Sequence, residues 1–178
     1  MRTLRAALIS FLLLAGSTLA EAVPEALREG ENGWRQWGSG EMSWWGLALY
    51  RATLWVAAPP GGELPADVPT ALRLQYRRDI PRDRLVQSSL DEMRRLGADE
   101  AQLARWQGEL QRVLPDVREG ETIVGVHYPG QGAAFYHGDR RRGEIADADF
   151  ARLFFAIWLD RRSRSPALRA ALLQGPAL

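Results

Sequence analysis

Residues 37–55 of this chain read W-G-S-G-E-M-S-W-W-G-L-A-L-Y-R-A-T-L-W, and this stretch decides the fold. Gly38 and Gly40 enclose a single serine, a pattern that indicates a bulge or a place where another segment approaches the backbone closely. The residues after them predict one long strand that ends at residue 56. Both alternating rows of its side chains are mostly apolar, so neither face suits water. The stretch therefore predicts a central strand, over residues 44–56, that is covered on both sides.

The rest of the chain alternates between blocks of strand and helix patterns. A loop rich in Pro and Gly, residues 57–69, leads to a strand at 70–77. Helices are predicted at 81–97 and 99–115, and the second begins with a capping box of Asp99 and Gln102. Strands at 121–128, 133–137 and 140–146 precede helices that begin at Asp147 and at Ser165-Pro166. These blocks predict an α+β fold, an antiparallel sheet with helices layered on one face.

The order of these segments resembles the chalcone isomerase family. The resemblance is carried by the G-x-G turn, by a strand segment of the form Gly-x-x-x-Tyr that ends at Tyr50, and by R-D-I-P at 78–81. It continues through G-E-I-A-D at 143–147 and F-F-A-I-W-L at 154–159. In particular, the chain is similar to the exported bacterial branch of the family. The resemblance implies an open-faced sandwich and one chalcone isomerase-like domain over residues 23–178.

Residues 1–22 predict a secretory signal peptide. Arg2 and Arg5 precede an apolar run of about ten residues, which is shorter than the ~20 residues that a membrane span requires. Cleavage after Ala20 and cleavage after Ala22 both fit the small residues there. We therefore expect a periplasmic or secreted monomer with no integral membrane span after signal removal.

Composition excludes several functions. Cysteine and lysine are both absent, which removes disulfides, thiolate nucleophiles, zinc–thiolate sites, Schiff bases and P-loop phosphate binding. Without residues 1–22, arginines and acidic residues are equal in number, so nucleic acid is not an expected partner. His127 and His137 have no metal-ligand spacing, and Gly130-Gln131-Gly132 opens no helix. We expect neither a metal nor a cofactor.

The resemblance implies a catalytic arginine two residues after the second glycine of G-x-G, and a threonine five residues before the tyrosine. Those positions hold Met42 and Trp45. A thioether supplies neither charge nor a hydrogen-bond donor, and an indole offers no hydroxyl. We therefore assign no catalytic residue, and the chain is expected to lack enzymatic activity.

Seven tryptophans exceed what a small core requires. They indicate either core packing or an indole-lined pocket between the sheet and the helices. The pocket hypothesis predicts these ligand-binding residues: Trp37, Met42, Trp45, Tyr50 and Tyr76. It takes its polarity from Tyr50, Tyr76 and one of three arginines: Arg35, Arg51 or Arg73.

The resemblance includes plastid fatty-acid-binding proteins, which implies a non-catalytic protein that binds a small apolar ligand such as a fatty acid. Two other functions stay open. One is an isomerase, an intramolecular lyase, with a changed catalytic set. The other is a structural or partner-binding domain without a ligand.

Overall fold

A computed structural model describes residues 24, 27–28, 33–57, 64 and 67–175. The predicted signal peptide lies outside these residues, as does part of the predicted loop at 57–69. The described strands form one open antiparallel sheet in which they follow each other in sequence order. They are β1 (Trp34–Trp44), β2 (Leu47–Ala57), β3 (Thr70–Tyr76), β4 (Thr122–Tyr128), β5 (Gly132–His137) and β6 (Arg140–Ile145).

The described helices are α1 (Arg82–Leu96), α2 (Glu100–Val113), α3 (Ala148–Leu159) and α4 (Pro166–Leu172). Local signals set their ends. Helix α1 ends at Gly97, whose φ of 114° suits a residue without a Cβ. The predicted capping box of Asp99 and Gln102 is present at the start of α2, and the Asp147 side chain accepts from the Phe150 amide at the start of α3.

The main core lies between the sheet and the helices. Phe150 packs in it against Trp106 of α2, Phe135 of β5 and Phe154 of α3, with ring centroids 5.4 to 6.2 Å apart. A smaller apolar cluster around Trp55 and Val126 covers part of the opposite face of the sheet. The α+β fold with helices on one face, an open-faced sandwich, is confirmed. No helix in the described part of the chain combines the length and apolarity that crossing a membrane requires.

The predicted central strand over residues 44–56 is wrong in two respects. A two-residue turn at Trp45 and Gly46 separates β1 from β2, with φ of 50° and 77°. Positive φ at both positions is the geometry of a type I′ turn, whose backbone matches the right-handed twist of the two antiparallel strands that it joins. Strand β2 is also second from the edge of the sheet, between β1 and β3. The expected cover on both faces is present over residues 52–56, which are all buried.

The G-x-G pattern marks a close approach, as its composition predicts. A Cβ built on Gly38 would overlap the carbonyl oxygens of Ala171 and Leu172 in α4, and one on Gly40 would lie 2.9 Å from the Ala171 Cβ. The strand register also shifts between Gln36 and Gly38, so β1 carries a bulge there. Small residues let the C-terminal helix lie directly on the backbone of the edge strand.

Candidate ligand-binding site

A cavity of about 690 Å³ lies between the β1–β2 hairpin and helix α1. Strands β2, β3 and β4 supply its floor through Tyr50, Tyr76 and Ile123, and α3 and α4 close it through Trp158 and Leu168. Its volume falls within the ~300–1,000 Å³ typical of small-molecule sites. The fold thus places a ligand-sized space beside the main core.

The inner wall of the cavity is apolar. Side chains from the sheet, from α3 and α4, and from the segment after α2 line it together: Leu74, Leu114, Ile123, Phe154, Ile157 and Leu168. Their burial supplies a surface that favours hydrocarbon over water. The wall therefore suits an aliphatic or aromatic ligand.

Two tyrosines give this wall its polarity. The rings of Tyr50 and Tyr76 meet edge to face with centroids 5.8 Å apart. The Tyr50 hydroxyl accepts a hydrogen bond from Nε1 of Trp158 at 3.0 Å, so its own proton is free to be donated. Burial raises the pKa of Tyr50 to about 12 and raises the pKa of Tyr76 well above its usual range. Both phenols are protonated donors at neutral pH.

Charged side chains of both signs also line the cavity: Arg78, Arg84, Asp91, Glu92 and Arg164. Glu92 of α1 is held between Arg95, at 2.6 Å, and Arg164, at 2.8 Å. Arg78 and Arg84 also line the opening, and neither forms an ion pair with a described residue. The exposed side of the cavity therefore carries two arginines, Arg78 and Arg84, that form no ion pair within the described part of the chain.

Three of the five predicted ligand-binding residues come together in the cavity: Met42, Tyr50 and Tyr76. The other two do not line it. Trp37 sits at the β1 bulge and is buried in the main core, 3% exposed. Trp45 is 89% exposed because it occupies the hairpin turn and points away from the core. Both placements correct the predicted pocket: Trp37 packs in the main core, and Trp45 lies in a turn where one uninterrupted strand was predicted.

The predicted polar arginines, Arg35, Arg51 and Arg73, also lie outside the cavity lining. Arg51 donates to Oγ of Ser39 at 2.8 Å and lies 3.4 Å from a carboxylate oxygen of Glu41. Arg51 therefore stabilises the hairpin surface and does not face a ligand. The cations that line the opening come from the segment after β3, from α1 and from the loop before α4.

His127 and His137 both contact other side chains of the fold. The imidazole of His127 stacks on Phe155 with centroids 5.1 Å apart, and burial lowers its pKa. Nε2 of His137 lies 3.1 Å from a carboxylate oxygen of Glu121. The described residues hold no cluster of His, Cys, Asp and Glu side chains suited to a metal ion.

Sequence reasoning missed the far wall of the cavity. Phe154, Ile157 and Trp158 lie at helical spacing in α3, a pattern that by itself predicts only a face packed on the core. The indole N–H of Trp158 was the available signal, because a buried indole needs an acceptor and Tyr50 is a phenol on the facing strand. The residues of α1 at the opening gave no signal, since exposed helical arginines and serines are ordinary.

The chain belongs to the chalcone isomerase-like family, whose sequence profile matches residues 21–174. Comparison with curated proteins yields no significant match.

Solved structures share the fold. One is the crystal structure of a fatty-acid binding protein from Arabidopsis thaliana, with a TM-score of 0.63 and 14% sequence identity. The alignment covers 81% of this chain and 88% of that chain. At this identity, the likeness establishes the architecture.

Proposed function

We propose that this chain is a non-catalytic member of the exported bacterial branch of its family. It holds a small apolar ligand, such as a fatty acid, in the cavity between the first hairpin and α1. The observation that carries this proposal is the cavity itself, about 690 Å³ of space with an apolar inner wall and two phenol donors. The fold shared with a plant protein named for fatty-acid binding supports it.

Polarity within the cavity sets the orientation of an acidic ligand. An ionised carboxylate costs several kcal/mol to bury without a cation, and the inner wall offers only phenols. Arg78 and Arg84 lie on the exposed side of the cavity and form no ion pair within the described part of the chain. A fatty acid therefore places its carboxylate beside these arginines and its hydrocarbon chain against Leu74 and Phe154.

The absence of catalysis follows from Met42. This side chain lines the cavity at the position where the resemblance implies a catalytic arginine. Stabilising a developing oxyanion in a water-poor cleft needs a fixed charge or donor, and removing one such donor costs about 100- to 1,000-fold in rate. Tyr50, with its pKa raised to about 12 by burial, is protonated at neutral pH and is therefore no general base there.

Titration with a fluorescent long-chain fatty acid tests binding. Ile157→Trp places a large side chain in the cavity and should abolish saturable binding. Leu159→Trp is the matched control, because Leu159 lies on the same helix but outside the cavity lining. Equal binding by wild type and both variants would show that the ligand sits elsewhere. No binding by correctly folded wild type would refute the proposed function.

Export and monomeric state complete the proposal. The positive start and short apolar run of residues 1–22 support removal of this segment and a periplasmic or secreted location. N-terminal sequencing should find Glu21 or Val23 first, whereas Met1 on the exported protein would contradict it. Light scattering should give the mass of one chain.

A further inference from the structure

The tip of the β1–β2 hairpin carries an unusual surface. Here the hairpin tip means Trp44, Trp45, Gly46 and Leu47. Its three large side chains are 55%, 89% and 53% exposed, and they are the strongly exposed large hydrophobic residues of the described chain. Scattered exposed apolar residues need no explanation, but three within four positions form a patch.

The backbone conformation of the turn does not favour a tryptophan at position 45. Trp45 has a φ of 50° and is the sole described residue other than glycine with positive φ. Type I′ turns favour Asn, Asp or Gly at this position, and a bulky side chain there is strained. Folding alone would be served better by Asn-Gly. The backbone conformation of the turn therefore gives no reason for an indole at position 45.

The hairpin tip adjoins the mouth of the cavity. Trp44 belongs both to the tip and to the cavity lining, and Arg78 and Arg84 line the same opening. These two arginines form no ion pair with a described residue, so their guanidinium groups are free to bind an anion. Apolar side chains and free cations thus surround one entrance.

We propose that the hairpin tip inserts into the interfacial layer of an anionic lipid bilayer. Trp45, Trp44 and Leu47 enter the boundary between headgroups and acyl chains, and Arg78 and Arg84 bind lipid phosphates beside them. Indoles favour this layer because the ring is apolar and its N–H needs a polar partner. Guanidinium groups match phosphate oxygens in geometry and charge.

The size of the tip favours a bilayer over a protein partner. A stable protein interface takes about 800 Å² from each side and about 20–30 residues. The three large side chains of the hairpin tip are far from that area. Reversible attachment to a membrane requires only a small inserted apolar surface together with electrostatic attraction. A bilayer also needs no complementary shape.

Docking in this orientation places the cavity mouth on the membrane. An apolar ligand then passes between the bilayer and the cavity without crossing water. This consequence rests on the proposed function, whereas docking itself rests only on the tip and the arginines. The two are therefore tested separately.

Flotation with phosphatidylglycerol–phosphatidylcholine vesicles tests docking, using protein purified after export with its N-terminus determined. Wild type should float with the vesicles, and Trp45→Asn should lower the vesicle partition coefficient about tenfold or more because an inserted indole is lost. Asn tolerates positive φ, so this variant should fold at least as well as wild type. Arg78→Gln with Arg84→Gln should reduce binding to anionic vesicles and leave weak binding to pure phosphatidylcholine.

Three results would overturn the proposal. In the first, wild type stays in the soluble fraction. In the second, the Trp45→Asn variant floats as well as wild type. In the third, wild type self-associates, Trp45→Asn abolishes the self-association, and vesicles recruit neither protein. Fatty-acid titration without vesicles separates the two proposals, because Trp45→Asn should bind the fatty acid as wild type does. Loss of docking with intact ligand binding supports both proposals.

Discussion

The two ends of β1 use their residues in opposite ways. At Gly38 and Gly40 the strand gives up side chains entirely, and helix α4 lies on the exposed backbone. A few residues later, at Trp44 and Trp45, the same strand reaches its turn with two indoles that are 55% and 89% exposed. At the glycine end, the lack of side chains lets helix α4 pack closely on the strand. At the turn, large apolar side chains stay exposed to solvent and add little to packing within the chain.

The two ends of β1 differ in whether the side chains agree with the backbone that carries them. At the glycine end, sequence, backbone and packing agree, and the residues are explained by the fold. At the tip, side chain and backbone disagree, because a bulky aromatic residue holds a left-handed φ. Such a disagreement points to a role outside folding, and it occurs beside the mouth of the apolar cavity.

Gly38→Ala should have the largest effect on stability. Its Cβ would overlap two backbone carbonyl oxygens of α4, which cannot move as a flexible side chain does. We expect a loss of about 3 kcal/mol in the free energy of unfolding, measured by urea denaturation. Gly40→Ala meets only the side chains of Ala171 and Leu168 and should cost about 1 kcal/mol.

Gly108→Ala is the matched control for these variants. Gly108 lies in α2 with open space around the missing Cβ. Replacement there should stabilise the protein by about 0.5–1 kcal/mol through helix propensity. If Gly38→Ala behaved like Gly108→Ala, α4 would not rest on β1 as described.

Asp147→Ala should have an intermediate, pH-dependent effect. Burial alone would raise the pKa of Asp147, but hydrogen bonds from the Phe150 amide and from Nε1 of Trp106 hold that pKa below its usual range. A carboxylate with a lowered folded-state pKa stabilises the protein above its unfolded pKa, and this stability is lost as pH falls through the folded pKa. The variant should lose about 1–2 kcal/mol at pH 7.

Urea unfolding at several pH values measures this effect. The difference between wild type and Asp147→Ala should shrink in acid, because wild type loses the carboxylate there while the variant has none to lose. A difference that stayed constant from neutral pH to pH 2 would mean that the charge of Asp147 adds nothing to folding.

Trp45→Asn should have the smallest effect and the opposite sign. Asn-Gly suits the type I′ turn better than Trp-Gly does, so we expect a gain of about 0.5–1 kcal/mol. Thermal or urea unfolding measures it. A clear loss of stability would show that the Trp45 ring supports the fold, and the contrast between the two ends of β1 would then disappear.

The parts of this fold that can be predicted from the sequence are those set by local signals. Gly97, the Asp99–Gln102 box and Asp147 each act within one helical turn, so the helix ends follow from the sequence. The hairpin at Trp45 could not be predicted because tryptophan is no turn signal, and the apolar alternation continued across it. The turn also moves Trp45 out of the predicted strand and away from the cavity.

The candidate site was only partly predictable for a related reason. Tyr50 and Tyr76 lie on adjacent strands in direct register, and both belong to apolar strand patterns that the sequence shows. The wall formed by α3 and the rim formed by α1 depend on how the helices dock on the sheet. The position of α4 depends on its close approach to Gly38 and Gly40, and the positions of the other helices depend on the lengths of their connections. None of these features tells from the sequence how far a helix lies from the sheet.

Native mass spectrometry of protein purified from its own cells shows whether the cavity beneath the hairpin holds an apolar molecule. We expect a species heavier than one chain by the mass of a noncovalently bound lipid-like molecule. That species should vanish in Ile157→Trp and persist in Leu159→Trp. A wild-type spectrum showing the bare chain alone, unchanged after incubation with long-chain fatty acids, would mean that the cavity holds no such ligand.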